Sequence, residues 1–394
     1  VIQAQLCRNQ ERDRHDVQRC LLEVNLSASA EALMRQALAL AKAAPATAAP
    51  NPRVGCVITT PSGDVLGQGH TQQAGGPHAE VMALRDAAAR GHDIRGATAY
   101  VTLEPCAHQG RTGPCCDALV AAGIGKVVAA LPDPNPLVAG KGFERLRAAG
   151  VSVDVGPGAA ESRALNLGFF SRMVRQTPWV RLKVAASLDG KTALNNGASQ
   201  WITGDAARTD GHAWRARACA VLTGIGTVLE DDPRLDVRLV DVQRQPHAVV
   251  VDSRLDTPLD AKLFIPGRQL WIYAAVDNAP RRAALEQQGA TVTFLPGPDG
   301  KVDLAAMLVD LARREVNELH IEAGHKLNGS LIRERLVDEY LVYLAPTLLG
   351  AGRDMAVLGP WSTLTQATAL EFQSVDRIGV DLRIVARPPG RDNF

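Results

Sequence analysis

The stretch Gly75-Gly-Pro-His-Ala-Glu-Val81, followed by Thr102-Leu-Glu-Pro-Cys-Ala-His-Gln-Gly-Arg-Thr-Gly-Pro-Cys-Cys-Asp-Ala-Leu119, decides how the first half of this 394-residue chain is read. Gly75-Gly-Pro77 and Gly113-Pro114 each read as a loop opening a helix, with Pro77 near the first helical position. His78 and Glu80 then lie in the first turn of a helix at about 78–90, and Cys115 starts another at about 115–123. Helix N-termini carry partial positive charge, which favours thiolate over thiol. Positions i and i+2 diverge on a regular helix, so His78 and Glu80 share a site only if the helix is just beginning there.

One imidazole and two thiolates fill three positions of a tetrahedral zinc and leave the fourth open for water. The metal brings that water's pKa to about 7, and a carboxylate outside the ligand set can carry the proton to a leaving amine. His-x-Glu followed by Pro-Cys and a second Cys is the signature of zinc deaminases. A structural zinc would show four Cys/His in paired short spacings, and the plainer alternative is buried cysteines beside a surface Glu. Cys116 adjoins Cys115 and competes as a ligand, although a helix turns its side chain about 100° away. His108, between the cysteines, reads as a ligand or, better, a substrate contact.

Outward from this stretch, strands at Ala97–Leu103, Lys126–Leu131 and Val151–Val155 alternate with helices, the last near 141–149. Upstream, Val54–Thr60 and Val65–Gly69 flank the turn Pro61-Ser-Gly-Asp64 and read as a hairpin. Ser27–Ala44 reads as a helix capped by Ser29, with Leu33, Met34, Ala37, Leu38 and Ala41 on one face. The result is an α/β sandwich. Residues 1–26 are charge-dense, begin without Met, lack clean periodicity and stand as an unassigned extension.

Composition bounds the rest. The chain is 46% hydrophobic and 22% charged, which excludes wholesale disorder, and its length suits two domains. Lys plus Arg number 43 against 42 Asp plus Glu, and aromatics are 4%, so nothing argues for nucleic acid or a membrane surface as partner. No apolar stretch of about 18 residues and no leader pattern is seen. Seven cysteines, an odd number, favour metal or catalytic use over a disulfide framework. The expected class is a soluble, cytoplasmic enzyme.

The segment 102–119, together with Asn51-Pro-Arg-Val-Gly-Cys-Val57, 75–81 and Asp133-Pro-Asn-Pro136, closely resembles the deaminase domain of the bifunctional riboflavin-biosynthesis deaminase–reductases. Eight residues separate Cys106 from Cys115, where most relatives of the cytidine-deaminase type have Cys-x-x-Cys; the longer loop is this family's own variant. The resemblance implies a cytidine-deaminase-like α/β/α sandwich over 27–175, zinc on His78, Cys106 and Cys115, and Glu80 as proton shuttle. The implied substrate is a diaminopyrimidinone ribosylamino-phosphate that loses a ring amino group. Asn51 offers a donor and an acceptor to a base edge, and Arg111 and Lys141 suit phosphate; each reads equally well as an ordinary loop residue.

The second half, 176–394, lacks Gly-x-Gly-x-x-Gly after its first strand, against a standard Rossmann domain. Its strand candidates are Val180–Ala186, Ala248–Val251, Leu270–Ala274, Val292–Leu295, Leu319–Ile321, Tyr340–Leu344 and Val380–Val385, after a helix near 159–174. Glu318-Leu-His-Ile-Glu322 leads into a Gly-rich turn, Gly324-His-Lys-Leu-Asn-Gly-Ser330, and a helix from about Leu331. Such a turn offers N–H groups to an anion. Ser330 stands where a P-loop needs Lys, so pyrophosphate fits better than a triphosphate, beside the reading of a plain helix start. Val249-Val-Val-Asp-Ser253 with Arg254 suits a ribose 2′-phosphate, or is an exposed loop pair.

These pieces, with Leu182-Lys-Val-Ala-Ala-Ser-Leu-Asp-Gly-Lys-Thr-Ala193, Ser199-Gln-Trp-Ile-Thr203 and 223–233, resemble the same family's reductase domain, whose fold is like dihydrofolate reductase. The resemblance places Ala185, Trp201, Thr227, Asp231, Ser253 and Gly324, His325, Lys326, Leu327, Asn328, Gly329 and Ser330 along NADPH. It places Ser199, Arg215, Leu235, Arg238 and Glu322 on the phosphorylated pyrimidine, which Asn51 of the first domain suits by its own chemistry. His325-Lys326 stands where relatives commonly have Pro-Thr, a change expected to tune cofactor affinity. The expected activity is zinc-dependent deamination followed by NADPH reduction of the ribosyl chain, in a homo-oligomer. The rivals are a deaminase of a free nucleoside or tRNA base with a specificity module, and a scaffold holding structural zinc.

Overall fold

A computed structural model describes residues 30–109, 113–136 and 138–394. Residues 1–26, Ser29 and Arg111 lie outside these. The chain divides into two compact units, Val1–Asn166 and Leu167–Phe394.

In the first unit, helix α1 (30–43) precedes strands β1 (Gly55–Thr59) and β2 (Val65–His70), which form the expected hairpin. Helix α2 (Ala79–Ala89), β3 (Thr98–Val101), α3 (Cys115–Ala121), β4 (Lys126–Ala129), α4 (Lys141–Ala148), β5 (Ser152–Val155) and α5 (Ala159–Leu165) follow. The sheet order is β2-β1-β3-β4-β5, antiparallel on the hairpin side and parallel from β3 to β5.

Glycines show how the two faces are covered. A Cβ on Gly55 would come within 1.9 Å of the Ala37 carbonyl on α1, and one on Gly69 within 2.5 Å of Met82 on α2. Gly55 and Gly69 occupy adjacent rungs of the hairpin and so point to opposite sides. Helix backbones therefore press on both faces of β1–β2, the α/β/α sandwich expected from the sequence.

The single helix expected near 159–174 is two, α5 and α6 (Leu167–Arg175). The Asn166 amide breaks it: Oδ1 accepts from Arg53 N at 2.7 Å, while Nδ2 donates to the Arg53 carbonyl at 2.9 Å and to Ser162 O at 3.2 Å. A side chain that competes for backbone partners interrupts a helix. The division between units falls there, ahead of the expected 175/176 boundary, and α6 belongs to the second unit.

That unit continues with β6 (Trp179–Ser187), β7 (Lys191–Leu194), α7 (Asp205–Arg217), β8 (Ala220–Gly224), α8 (Ile225–Asp231), β9 (His247–Val251) and β10 (Leu270–Ala274). Then come α9 (Ala279–Gln287), β11 (Ala290–Phe294), α10 (Leu304–Arg313), β12 (Glu318–Ile321), α11 (His325–Arg333), β13 (Glu339–Ala345), β14 (Gly352–Asp354), β15 (Glu371–Ile378) and β16 (Asp381–Arg387). The large sheet runs β11-β10-β9-β8-β12-β6-β13-β16-β15, parallel from β11 to β13, with antiparallel β16 and β15 at one edge; β7 and β14 form a separate ribbon.

All seven expected strands of this unit are present. The sequence reading did not find β7, β8, β14 and β15; Gln373 bulges in β15 and breaks its period-2 pattern. The Gly324–Ser330 turn is also different: α11 begins at His325, directly after its N-cap Gly324, so residues 325–330 are helical.

Candidate active sites

The first site is built from two helix entries and the end of β3. His78 is the N-cap of α2, with extended backbone (φ −76°, ψ 170°), so it is not yet helical and can face the same centre as Glu80 two residues on. Cys106 lies beyond β3, and Cys115 opens α3 after Pro114. His78 Nδ1 sits 3.6 Å from Cys106 Sγ and 3.4 Å from Cys115 Sγ, and the three donor atoms lie within 4.8 Å of one another. Ligands at ordinary zinc–nitrogen and zinc–sulfur distances on a tetrahedron stand about 3.6 Å apart, so this donor set fits zinc in both chemistry and span.

The electrostatics match a site built around a cation. Hydrogen bonding from the Cys115 thiol holds Cys106 down to about 4, while the same contact and burial push Cys115 far above its ordinary range. Burial, reinforced by negative charge on Cys106, raises Glu80 to about 7. Cys116 is turned away: its thiol donates to the Pro105 carbonyl at 3.1 Å. His108 carries a buried Nδ1 without a hydrogen-bond partner among the described residues. Asn51 lies half-buried in the turn before β1, and Thr47 of that turn accepts from Ala74 N in the loop leading to His78. Lys141 Nζ reaches the Pro136 carbonyl at 3.5 Å.

Sequence reading missed Glu104. Its buried carboxylate accepts four main-chain N–H groups, from Asp133 (3.1 Å), Gly140 (3.0 Å), Gly142 (2.9 Å) and Phe143 (3.3 Å). It thereby satisfies the N-terminus of α4 and ties the chain two residues ahead of Cys106 to the 133–143 segment. Its place directly before Pro-Cys was the available signal.

The second site runs along the C-terminal ends of parallel strands, where open α/β sheets bind ligands. Helices α8 and α11 start side by side: a Cβ on Gly224 would sit 3.1 Å from Leu327, and one on Gly324 3.6 Å from Thr227 Oγ1. Ser253 follows β9, with its carbonyl accepting from Ala275 and Val276 N. Asp231 ends α8, its carboxyl raised by burial and by Glu230. Ala185 lies on β6 opposite Tyr343 of β13. Trp201 is 64% exposed with the Arg208 guanidinium 4.7 Å over its ring, and Ser199 lies half-buried near it in sequence. His325 and Lys326 open α11, and Ser330 lies on its second turn. Asn328 and Gly329 face protein: Asn328 Nδ2 donates to the Met355 carbonyl at 2.9 Å, and a Cβ on Gly329 would strike Val357 O.

Beyond this row, Arg215 grips Glu322 through Nε and Nη2 and donates Nη1 to the Asp236 carbonyl at 2.9 Å. Lys183 Nζ stands 3.5 Å from Glu322, and His320 Nε2 3.4 Å. Burial opposes ionisation of Glu322, but Arg215 and Lys183 hold its carboxyl well below the usual range. Arg238 pairs with Asp236 at 2.7 Å, and Leu235, directly before Asp236 in the same segment, is buried. Arg215, Glu322, Leu235 and Arg238 are thus brought into one network. Lys183 belongs to the quoted Leu182–Ala193 stretch, but sequence reading gave it no role of its own.

Comparison with known proteins agrees with this two-unit reading. Residues 27–131 match the cytidine and deoxycytidylate deaminase zinc-binding region, and residues 178–384 match the RibD C-terminal domain. The riboflavin biosynthesis protein RibD of Escherichia coli is 42% identical over 366 residues, covering 89% of this chain and 97% of the relative. That of Aquifex aeolicus is 40% identical over 351 residues, covering 89% and 96%. Among solved structures, Acinetobacter baumannii RibD superposes with TM-score 0.82 at 40% identity, covering 92% of this chain and 99% of its own. The Thermotoga maritima diaminohydroxyphosphoribosylaminopyrimidine deaminase/5-amino-6-(5-phosphoribosylamino)uracil reductase gives 0.80 at 30%, with the same coverage. A deaminase unit with a three-donor zinc cradle, joined to a reductase unit and aligned with these relatives nearly end to end, places the chain in the RibD family of bifunctional riboflavin-biosynthesis deaminase–reductases.

Proposed function

We propose that His78, Cys106 and Cys115 hold the zinc, that Glu80 moves the proton, and that the strand ends of the second unit bind NADPH and the phosphorylated pyrimidine. The enzyme deaminates a diaminopyrimidinone ribosylamino-phosphate, exchanging a ring amino group for oxygen with release of ammonia, and then reduces the ribosyl chain to ribityl. The observation that carries the reading is the convergence of one imidazole and two thiol sulfurs at tetrahedral spacing, with a buried carboxyl beside them.

When bound, zinc supplies Lewis acidity that makes water nucleophilic near pH 7. Glu80, raised to about 7, can take a proton from water and return one to the departing amine. Asn51 reads the base edge. NADPH supplies the hydride when bound. Thr227, Asp231, Ser253, Ala185, Trp201 and the start of α11 orient it, while Asn328 and Gly329 back that helix from within. Arg215 and Arg238 grip the phosphate, Ser199 and Leu235 line the substrate, and Glu322 orients the sugar so that hydride meets C1, with a proton going to the ring oxygen. Positioning of this kind supplies much of such a step. Domain limits of 27–175 and 176–394 describe the two activities, with α6 packed in the second unit.

A cytoplasmic setting and self-association belong to the same proposal. The five described cysteines are free, which suits a reducing compartment. Apolar side chains stand exposed along the β15–β16 edge, Phe372 at 71% and Val375 at 55%, as at an interface between copies. No described helix is long and apolar enough to cross a membrane.

The test is absorbance at 340 nm with NADPH, the diaminopyrimidinone substrate and zinc-loaded protein. NADPH oxidation that requires Glu80 supports both half-reactions and their order. Ammonia release without oxidation retires the reductase assignment, and silence in both assays retires the whole reading.

A further inference from the structure

The segment Arg234-Leu-Asp-Val-Arg238, between α8 and β9, contains two of the proposed substrate residues, yet it is neither helix nor strand. Leu235 has a left-handed backbone (φ 49°), a conformation a branched side chain rarely adopts. Side chains from elsewhere hold six of the ten main-chain N–H and C=O groups of this strap. Arg268 donates Nη1 to the Leu235 carbonyl at 2.9 Å and Nη2 to the Arg234 carbonyl. Arg215 donates to the Asp236 carbonyl at 2.9 Å. Gln245 spans Val237, accepting from its N at 2.7 Å and donating to its carbonyl at 2.9 Å. Arg238 N donates to His212 Nδ1 at 3.2 Å.

Arg268 differs from the other three arginines here. Arg234 and Arg238 each pair with Asp236, and Arg215 pairs with Glu322. Arg268 is buried, gives its guanidinium only to carbonyls (the third being Leu263 O, 3.2 Å), and has an unpartnered Nε. Among the described residues no carboxylate pairs with it. Burial lowers its pKa to about 10; Asp236 attracts it through space, while Arg234 and Arg215 repel it. A buried cation that touches carbonyls and no carboxylate is costly to the free protein. Four guanidinium groups around two carboxylates, Asp236 and Glu322, leave an excess of positive charge that a phosphate dianion would offset.

We propose that Arg268 is a positioning residue of the reductase site: it moulds the Arg234–Arg238 strap for a phosphate it does not touch, and its unbalanced charge is compensated when that phosphate arrives. This rests on the assignment of Arg215 and Arg238 to the substrate phosphate. The planar fork spans two carbonyls at once, and a lysine ammonium, a point charge, cannot reproduce that.

The experiment compares wild type, Arg268→Lys and Arg268→Met, full length and zinc-loaded, in NADPH oxidation with 5-amino-6-(5-phosphoribosylamino)uracil, and uses inorganic phosphate as a competitive probe. Losing two charge-assisted hydrogen bonds that shape the strap should raise the substrate KM and the phosphate inhibition constant together by about tenfold in Arg268→Met. Arg268→Lys should fall between, while kcat, the NADPH KM and ammonia release stay within about twofold. Unchanged KM and phosphate inhibition in both variants overturns the proposal. So does a parallel loss of kcat, NADPH affinity and substrate affinity, which marks a purely structural residue. If Arg268→Met does not fold, Arg268→Lys decides by the same split between KM and kcat. Wild type that oxidises NADPH but ignores phosphate would instead fail the underlying phosphate assignment, and with it this proposal.

Discussion

The two sites of this protein are assembled in opposite ways. In the first unit, His78, Glu80, Cys106 and Cys115 lie within forty residues of sequence, and each sits at a helix start or strand end whose geometry the neighbouring Gly and Pro dictate. In the second, Lys183, Arg215, Asp236, Arg238, Arg268 and Glu322 come from strands, a helix and loops spread over about 140 residues, and they meet only because β6, β8 and β12 are neighbours. Metal coordination demands few atoms at short, fixed spacings, so a local segment can encode it. Binding a dinucleotide and a sugar phosphate demands a long surface, which only a sheet edge supplies.

The sharpest break of that comparison is Glu80→Gln. It should cut ammonia release by about 10²–10⁴-fold while retaining zinc and oxidising NADPH normally with the deaminated intermediate. Loss of both activities would mean that the sites are not independent. Next in size, Glu104→Gln should weaken zinc binding by about tenfold, because it loosens the anchor that ties the chain ahead of Cys106 to the 133–143 segment, read by competition with a chelator. It leaves four main-chain donors facing an amide, and the reductase should not notice. A smaller effect is expected for Trp201→Ala, where an exposed ring and its Arg208 partner contribute about 0.5–1 kcal/mol, or a few-fold in NADPH KM. Smallest of all is Cys116→Ser, because the Cys116 thiol donates to the Pro105 carbonyl rather than into the metal cradle. Zinc content by atomic emission should remain at one per chain, whereas Cys115→Ser should lose it.

How far each region was legible follows from the same contrast. The hairpin, α2, α3 and the seven strands found in the second half announce themselves by apolar runs between turn residues. Strand β15 does not, because the bulge at Gln373 shifts its alternation. The break at Asn166 is invisible because its cause, the Arg53 backbone, lies 113 residues away. The Gly324–Ser330 segment reads as loop from its glycines, yet Gly329 is there because α11 packs against Val357.

By itself, then, the sequence determined the α/β character of both halves and pointed to the proposed zinc donor set and its carboxyl neighbour, since these depend on residues close in the chain. Only the tertiary structure decided that the Cys116 thiol settles on the Pro105 carbonyl, that Glu104 clamps the start of α4, that the units part at Asn166, and that Arg268 gives its guanidinium to the carbonyls of the strap. Each of these is a buried polar group choosing its partner, and the partner is known only once distant segments are in contact.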